Sequence, residues 1–393
     1  LDAINKKASI VLLPTAYEKD TIHNVKPSES PFGDMTFIQA GTTTRVDESG
    51  LVASNTTDIP RIDYSKGEGA ILSELASTNE IRYSEDFSNA LWQKVGVTLT
   101  SSTSTNPRGE SATIYAIQGA AAQGGLEGAM ASTASGNGVG VSIWARKKSG
   151  VGTTNVEIGF GDSSTVTTTT VSVGSAWQRI TYESAGYTGA NRFYIDAEGT
   201  SADDTIEVWG AQMEKTTGSG QAGRVSSYVP TVSGSATRAR DNYLNGGDAS
   251  LIGAQEGVFF FEGAALSNAY GGRAVALSAN NSAANRVVLY FDGVSGQVRT
   301  TIQASGVITT IDTSGATQTN FNKIAVKYKS GDVALWLNGT EVATSTAAFT
   351  FNAALSELAF DQGNGSQHFD GHVKQLVIFK EVLSDAELAA LTS

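Results

Sequence analysis

His368 and His372 stand four residues apart, the spacing that chelates a metal when both lie on one face of a helix. Here they flank Phe369-Asp370-Gly371, which reads as a loop-to-strand junction. On a strand, residues four apart lie roughly 13 Å from each other. The spacing therefore predicts two separately satisfied histidines and no shared ion. The run before them suits a hard cation better. Asp361-Gln362-Gly363-Asn364-Gly365-Ser366, with Asp370 nearby, places oxygens of Asp361, Asn364 and Asp370 where calcium could take them. The same glycine-punctuated pattern also makes ordinary turns. A second acidic run, Asp196, Glu198, Asp203, Asp204 and Glu207, reads as a solvated loop, with calcium as its alternative.

Nucleophilic catalysis has little to build on. Gly161-Asp162-Ser163 echoes a hydrolase nucleophile turn, but that chemistry needs a strand–turn–helix and a histidine base, and a threonine-rich strand follows instead. Cleavage of a glycoside needs two carboxyl groups ~5–9.5 Å apart across a groove, and no local element fixes such a pair. The expectation is a non-enzymatic protein. Sugar stacking is open to Trp92, Trp144, Trp177, Trp209 and Trp336. Trp336 is the candidate of choice, with Asn338 in the turn after it. It shares a strand face with Ala334, opposite Val333, Leu335 and Leu337, so one face serves the core and the other is open to question. Burial is the commoner fate of tryptophan in a sandwich.

The elements that must position these residues are strands. In 393 residues only 17% are charged and six are proline, while Gly, Ser, Thr and Ala abound. Short strands joined by Gly, Asn and Asp turns fit this mix. A net charge of −12 and a pI of about 4.8 disfavour a nucleic-acid partner, which needs clustered Lys and Arg. Cysteine is absent, which removes disulfides and thiolate chemistry. No run of 18 apolar residues exists, so no membrane insertion is expected. Leu1–Lys7 lacks signal-peptide architecture, and a first residue other than Met fits a processed or truncated chain.

Residues 1–79 read as an extended attachment segment. An apolar strand, Ala8 to Tyr17, precedes the breakers Pro27, Pro31 and Gly33; a hairpin spans Thr42 to Val52, and Pro60-Arg61-Ile62-Asp63-Tyr64 is a further extended piece. With too little apolar pattern for its own core, this segment is expected to lie along another copy or a particle body. Residues 80–241 carry period-two runs at Val139–Arg146, Val156–Phe160, Trp177–Tyr182, Arg192–Ala197 and Thr205–Gly210, the pattern of an antiparallel sandwich. A linker is expected from Gly218-Ser219-Gly220 through Pro230 to Gly246-Gly247. Residues 242–393 form a second sandwich. Its strands Val258–Gly263, Arg286–Phe291, Lys323–Tyr328 and Val333–Leu337 are punctuated by Asp292-Gly293, Ser330-Gly331 and Asn338-Gly339. Ser384-Asp385-Ala386-Glu387 is a capping box, with Leu383 and Leu388 at the staple positions, and predicts a short C-terminal helix. The fold class is all-β: the extended segment plus two jelly-roll-type sandwiches.

Two resemblances sharpen this. Lys323–Tyr328, Leu335-Trp336-Leu337-Asn338-Gly339, Phe369-Asp370-Gly371-His372-Val373 and Val382–Leu388 resemble, in order and spacing, the concanavalin A-like, laminin-G-like jelly rolls. Residues 8–241 resemble bacteriophage spike and fibre proteins. That likeness lies in Thr44-Arg45-Val46, Gly50-Leu51-Val52, Pro60–Tyr64, Thr78-Asn79, Tyr83–Trp92, Trp209–Glu214, Ser226–Thr231 and Thr237–Asp241, with Glu74-Leu75 where that family carries Glu-Pro. The second resemblance implies a structural virion component of head or tail. It would attach to other virion proteins through residues 1–79, assemble as a homotrimer and bind host-surface glycans through its outer domains. It implies no cofactor, calcium apart. A capsid decoration without a receptor, a polysaccharide depolymerase and a secreted bacterial adhesin are the alternatives.

Overall fold

The computed structural model describes residues 4, 6–14, 35–119, 125–129, 137–162, 165–187, 192–198, 204–216, 223–244, 246–268, 273–292 and 296–393. The described chain is nearly all antiparallel strand and divides into two compact units. One comprises Leu1–Gly41, Asn55–Leu75 and Ala239–Ser393; the other comprises Thr42–Ser54 and Ala76–Arg238. Pro27, Pro31, Gly33, Gly218–Gly220 and Gly293 lie outside the described residues.

The first unit is a sandwich. One sheet runs Thr340–Ser345, Val333–Leu337, Asn322–Lys329, Glu256–Ala265, Gly371–Phe379, Ala70–Ser73, Ile62–Asp63. The facing sheet runs Val307–Thr313, Val298–Ala304, Asn285–Phe291, Arg273–Ser278, Glu357–Ala359. Phe259, Phe261, Val326, Leu335, Leu376, Val287, Leu289 and Ile302 fill the space between them. Val258 and Phe260 point the other way and are equally buried, beneath Leu383, Leu388 and Leu391. That explains why Val258-Phe259-Phe260-Phe261 shows no alternation: the strand is covered on both faces. Asn338 (φ 48°) and Gly339 (φ 86°) make the tight turn that Asn-Gly predicts.

The C-terminal helix is Asp385–Thr392, and its cap is reciprocal. The Ser384 Oγ accepts from the Glu387 N–H, and Glu387 Oε2 accepts from the Ser384 N–H at 2.9 Å. Ser384→Ala is expected to cost about 1 kcal/mol. Amide exchange in residues 385–392 would rise roughly fivefold, with no change in the core strands.

Residues 1–79 differ from the expected free segment. Ala8–Leu12 pairs with one half of Gly371–Phe379 (Ile10 with Ile378, Leu12 with Leu376), and Ala70–Ser73 pairs with the other half (Ile71 with Val373). Ile10, Leu12, Met35, Phe37, Ile62 and Ile71 enter the sandwich core. The segment does lack a core of its own, but the edge it covers belongs to the same chain. An uncovered edge would expose a row of unpaired N–H and C=O groups.

The second unit is also a sandwich. Its sheets run Gln178–Tyr187, Asn137–Lys147, Ile206–Thr216, Ser111–Gly119, Val97–Thr105 and Val166–Val173, Thr154–Gly161, Arg192–Glu198, Gly125–Ala129, Trp92–Val95. Trp92, Ile117, Val141, Ile143, Ile158, Phe160, Phe193, Ile195, Val208 and Met213 form its core. The expected linker is not one. Ser226, Tyr228, Val229 and Thr231 are buried, and Tyr228 packs with Trp144, Trp209, Ile114 and Val52 in a second apolar cluster.

Candidate functional site

The sequence candidates separate on folding. Trp336 is only 7% exposed, because the C-terminal helix covers the face that the strand pattern leaves open. Its indole offers no platform to a sugar. Asn338 is exposed, but its side chain serves the turn: Oδ1 accepts from the Lys323 N–H at 3.0 Å and Nδ2 donates to Asn322 Oδ1 at 3.1 Å. Trp92, Trp144 and Trp209 are buried, and Trp177 lies under the Arg146 guanidinium, 4.4 Å from its ring centre.

The calcium candidates part as well. Asp361 Oδ1 accepts from the N–H groups of Gly363, Asn364 and Gly365 (2.6, 3.2 and 3.2 Å), so this carboxylate organises its own loop. Asn364 Oδ1 accepts from Ser366 Oγ at 2.7 Å. Asp370 is fully buried and accepts from the Leu75 N–H. Among the described residues no three His, Cys, Asp or Glu side chains are placed to hold a metal. The two histidines find separate partners, as their spacing predicts. His372 Nε2 meets Asp63 Oδ1 at 3.1 Å; His368 meets Arg240 and Asp361. Of the run from Asp196 to Glu207, Asp196, Glu198 and Glu207 lie in strands and not in a solvated loop. Asp196 lies within Arg192–Glu198, and Glu207 lies within Ile206–Thr216 paired to Arg146; Asp203 lies outside the described residues. Ser163 also lies outside them, and Thr154–Gly161 pairs with the antiparallel Val166–Val173, the wrong context for a nucleophile elbow.

A different set of residues converges. A cleft of ≈ 220 Å³ in the first unit is lined by Arg240, Asn242, Asn280, Asn281, Glu357 and His368, with Asp361 at its wall and Phe360 and Tyr243 beneath. Phe360 and Tyr243 are buried and pack at 4.6 Å between ring centres with their planes tilted by 30°, giving an apolar base. Arg240 Nε donates to Asn242 Oδ1 at 2.9 Å, while its terminal nitrogen faces His368 Nε2. Burial and the Arg240 charge hold the His368 imidazole below its ordinary range, against the pull of Asp361. Because a guanidinium can only donate, Nε2 of the neutral ring accepts from Arg240, which leaves the proton on Nδ1, on the side of Gly365 and of Asp361 Oδ2 at 3.7 Å. Asn280 and Asn281 hold left-handed backbone (φ 51° and 58°), and Glu357 Oε2 fixes the Asn281 N–H at 3.0 Å. The cleft thus mixes amide, guanidinium and carboxylate groups over an apolar base, the arrangement that suits a small polyhydroxylated ligand.

Residues 265–389 match the concanavalin A-like lectin/glucanases superfamily. The match spans most of this sandwich, including His368, Asp361 and Glu357. No curated protein matches the chain in sequence. Among solved structures, the chain is similar to the CBM40 of the Ruminococcus gnavus IT-sialidase bound to alpha2,3 sialyllactose. The identity is 21%, over 37% of this chain and 86% of that one, with a TM-score of 0.32. It is also similar to domain 4 of AbnA, a GH43 extracellular arabinanase from Geobacillus stearothermophilus, in complex with arabinotriose. That likeness is 15% identical, over 43% and 85% of the two chains, with a TM-score of 0.31. A SAP-like pentraxin from Limulus polyphemus is 11% identical over 36% and 70%, with a TM-score of 0.29.

Sequence reasoning missed Arg240, Asn242, Asn280, Asn281 and Glu357 as site residues. Arg240 lies 128 positions from His368, and nothing local to either signals the other. The one available signal was that Arg240 falls within the Thr237–Asp241 run of the spike and fibre resemblance.

Proposed function

We propose that this protein is a non-catalytic glycan-binding component of a phage particle surface. The observation that carries the binding reading is the cleft of Arg240, Asn242, Glu357, Asp361 and His368 within a concanavalin A-like lectin sandwich. Its groups are fixed by mutual bonds over a buried aromatic base, so little ordering cost attends binding. The particle setting follows from the resemblance of residues 8–241 to spike and fibre proteins. In that setting the chain assembles as a homotrimer, and copies multiply a weak saccharide affinity through effective concentration. Attachment to other virion proteins falls to the outer surface of residues 1–79, of which only Ala8–Leu12, Ile62–Asp63 and Ala70–Ser73 are built into the eight-stranded sheet of the C-terminal sandwich.

The test is a glycan array probed with the full chain and with Arg240→Ala. Saccharide binding by the wild type that falls at least ~10-fold in Arg240→Ala is the expected result, since a charged hydrogen bond contributes about 1.5–3 kcal/mol. Silence of the wild type across host-surface glycans would remove the binding reading. Release of reducing ends from host polysaccharide would replace it with depolymerisation.

A further inference from the structure

The second unit holds a polar site that none of the foregoing uses. On Thr154–Gly161, Val156, Ile158 and Phe160 face the core, so Glu157 points to the opposite side. On Arg192–Glu198, Phe193, Ile195 and Ala197 face the core, so Tyr194, Asp196 and Glu198 project to that same outer side. The register sets Glu157 directly opposite Asp196 and Gly159 opposite Tyr194. The next strand brings Glu127 opposite Tyr194, ion-paired to Arg192. Beyond it on the other flank, Thr168 Oγ1 donates to Glu157 and Thr170 Oγ1 donates to Glu198 at 3.1 Å.

The centre of this face is deep and its rim is open. Asp196 is 6% exposed and Tyr194 is 8% exposed, whereas Thr170 and Glu198 are exposed. Gly125 allows the depth: a β-carbon there would fall 2.3 Å from the Tyr194 ring, which lies against the bare backbone. Glu157 has its donor in Thr168, and Glu127 has Arg192. Asp196 takes the Ala197 N–H, but its Oδ1 is buried without a hydrogen-bond partner among the described residues. A buried carboxylate oxygen left unpaired costs free energy that the fold does not recover, which marks a place reserved for an incoming donor. Burial, with Glu157 and Glu198 adding to it against one bond from the Ala197 N–H, pushes the Asp196 carboxyl up to about 7.

We infer that Asp196, Glu157, Tyr194 and the Thr168/Thr170 hydroxyls form a second saccharide site, selective for neutral glycans whose hydroxyls donate to Asp196. Carboxylates outnumber cations on this face, so acidic sugars are repelled. A metal is the weaker occupant, because no three acidic or imidazole side chains converge among the described residues. The threonine hydroxyls already donate to Glu157 and Glu198, so what they keep for a ligand is an accepting oxygen, which suits a polyol O–H and not a point cation alone. This extends glycan binding to the other unit and does not depend on the Arg240 cleft.

The experiment titrates the full chain with neutral gluco-, galacto- and manno-oligosaccharides and with sialylated and uronate-containing ones, by calorimetry. Wild type, Asp196→Ala and Arg240→Ala are compared, and the Tm of each is measured. The expected result is a neutral oligosaccharide that binds the wild type, binds Asp196→Ala at least tenfold more weakly, and binds Arg240→Ala unchanged. Asp196→Ala would melt at or above the wild type, since it removes a buried carboxyl with one oxygen unpartnered among the described residues. Failure of the wild type to bind any neutral oligosaccharide would overturn the inference. So would undiminished binding by Asp196→Ala, a lowered Tm in that variant, or a preference for acidic glycans that Asp196→Ala abolishes. Neutral-glycan binding lost only in Arg240→Ala would reject this site and leave the cleft standing. Loss only in Asp196→Ala supports this site, and the cleft is then judged separately by the glycans whose binding falls only in Arg240→Ala.

Discussion

Replacing Arg61 by alanine is expected to destabilise the C-terminal sandwich by about 3–5 kcal/mol, the range for removing one partner of a buried ion pair. The side chains of Arg61, Glu74 and Asp241 are fully buried, and the Arg61 guanidinium donates to Glu74 at 2.6 Å and to Asp241. Burial alone would push the guanidinium down, but Asp241 and Glu74 together carry it above its ordinary range. Asp241 also accepts from the Glu74 N–H at 2.9 Å, and the Arg61 carbonyl accepts from the Leu72 N–H. The triad thereby ties the two N-terminal edge strands to the sheet they complete. Taking away the cation would leave two carboxylates buried side by side. Arg61→Lys should fall between, because a compact ammonium keeps the charge but lacks the planar fork that meets Glu74 and Asp241 through separate nitrogens. Hydrogen exchange separates this from a general effect. Amides of Glu256–Ala265 and Gly371–Phe379 should exchange faster, while Ile206–Thr216 in the other unit stays protected. Equal loss in both units, or a change under 1 kcal/mol, would refute the role assigned to the triad.

The triad also shows how much was legible beforehand. Period-two patterning located five strands of the second unit, Asn137–Lys147, Thr154–Gly161, Gln178–Tyr187, Arg192–Glu198 and Ile206–Thr216, but not Val97–Thr105 or Ser111–Gly119, and the capping box located the C-terminal helix, because both signals are local. Asn338-Gly339 likewise announced its turn. The pairing of Ala8–Leu12 with Gly371–Phe379 spans the whole chain, and five residues of strand pattern do not say which edge they will cover. The second face of Trp336 was undecidable for the same reason: whether it meets water or Leu388 depends on where a helix fifty residues later packs. The cleft was half visible. Asp361 and His368 stood out by type, but Asp361 turned out to shape a loop, and Arg240, which adds to burial in lowering the His368 pKa, arrives from a distant segment.

The runs that carry the likeness to spike and fibre proteins are, in this structure, mostly buried polar fasteners. Arg61 and Asp241 come from two of them. Glu214, Ser226, Tyr228 and Thr231 come from two more. Glu214 accepts from the Ser226 N–H at 2.7 Å and from the hydroxyls of Ser226 and Ser77. Gln212 Oε1 accepts from the Val229 N–H at 2.6 Å, and Ser84 Oγ accepts from the Thr231 N–H at 2.9 Å. Such residues fix how a segment docks, and their chemistry is used up in doing so. The groups available to a ligand, Arg240 apart, lie outside those runs. A likeness in motif can thus describe the scaffold and leave its specificity to other positions.

Asn79 should be the most sensitive of these fasteners in the second unit. It is fully buried and uses both ends of its amide. Nδ2 donates to the carbonyls of Ala211 and Val229 at 3.0 and 2.8 Å; Oδ1 accepts from the N–H groups of Ile81 and Met213, both at 3.1 Å. Asn79→Ala orphans four backbone groups at once. With each buried orphan costing about 1–3 kcal/mol before relaxation, a net loss of ~3–5 kcal/mol is expected. Amides of 223–238 should lose protection first, because Val229 is the contact that pins this segment to Ile206–Thr216. Asn79→Asp preserves the shape and isolates the chemistry. Its carboxylate would set an oxygen against two carbonyls, so at pH 7 it should be no better than alanine. Burial would raise the new carboxyl above its unfolded value, so its cost is present at high pH and fades as pH falls and the group protonates. The gap to wild type, followed by urea unfolding between pH 7 and 4, should therefore narrow. A pH-independent gap would mean that charge is not what the site rejects, and a gap below 1 kcal/mol would mean that residues 223–238 are held by the Tyr228 packing and the Glu214, Gln212 and Ser84 bonds without Asn79.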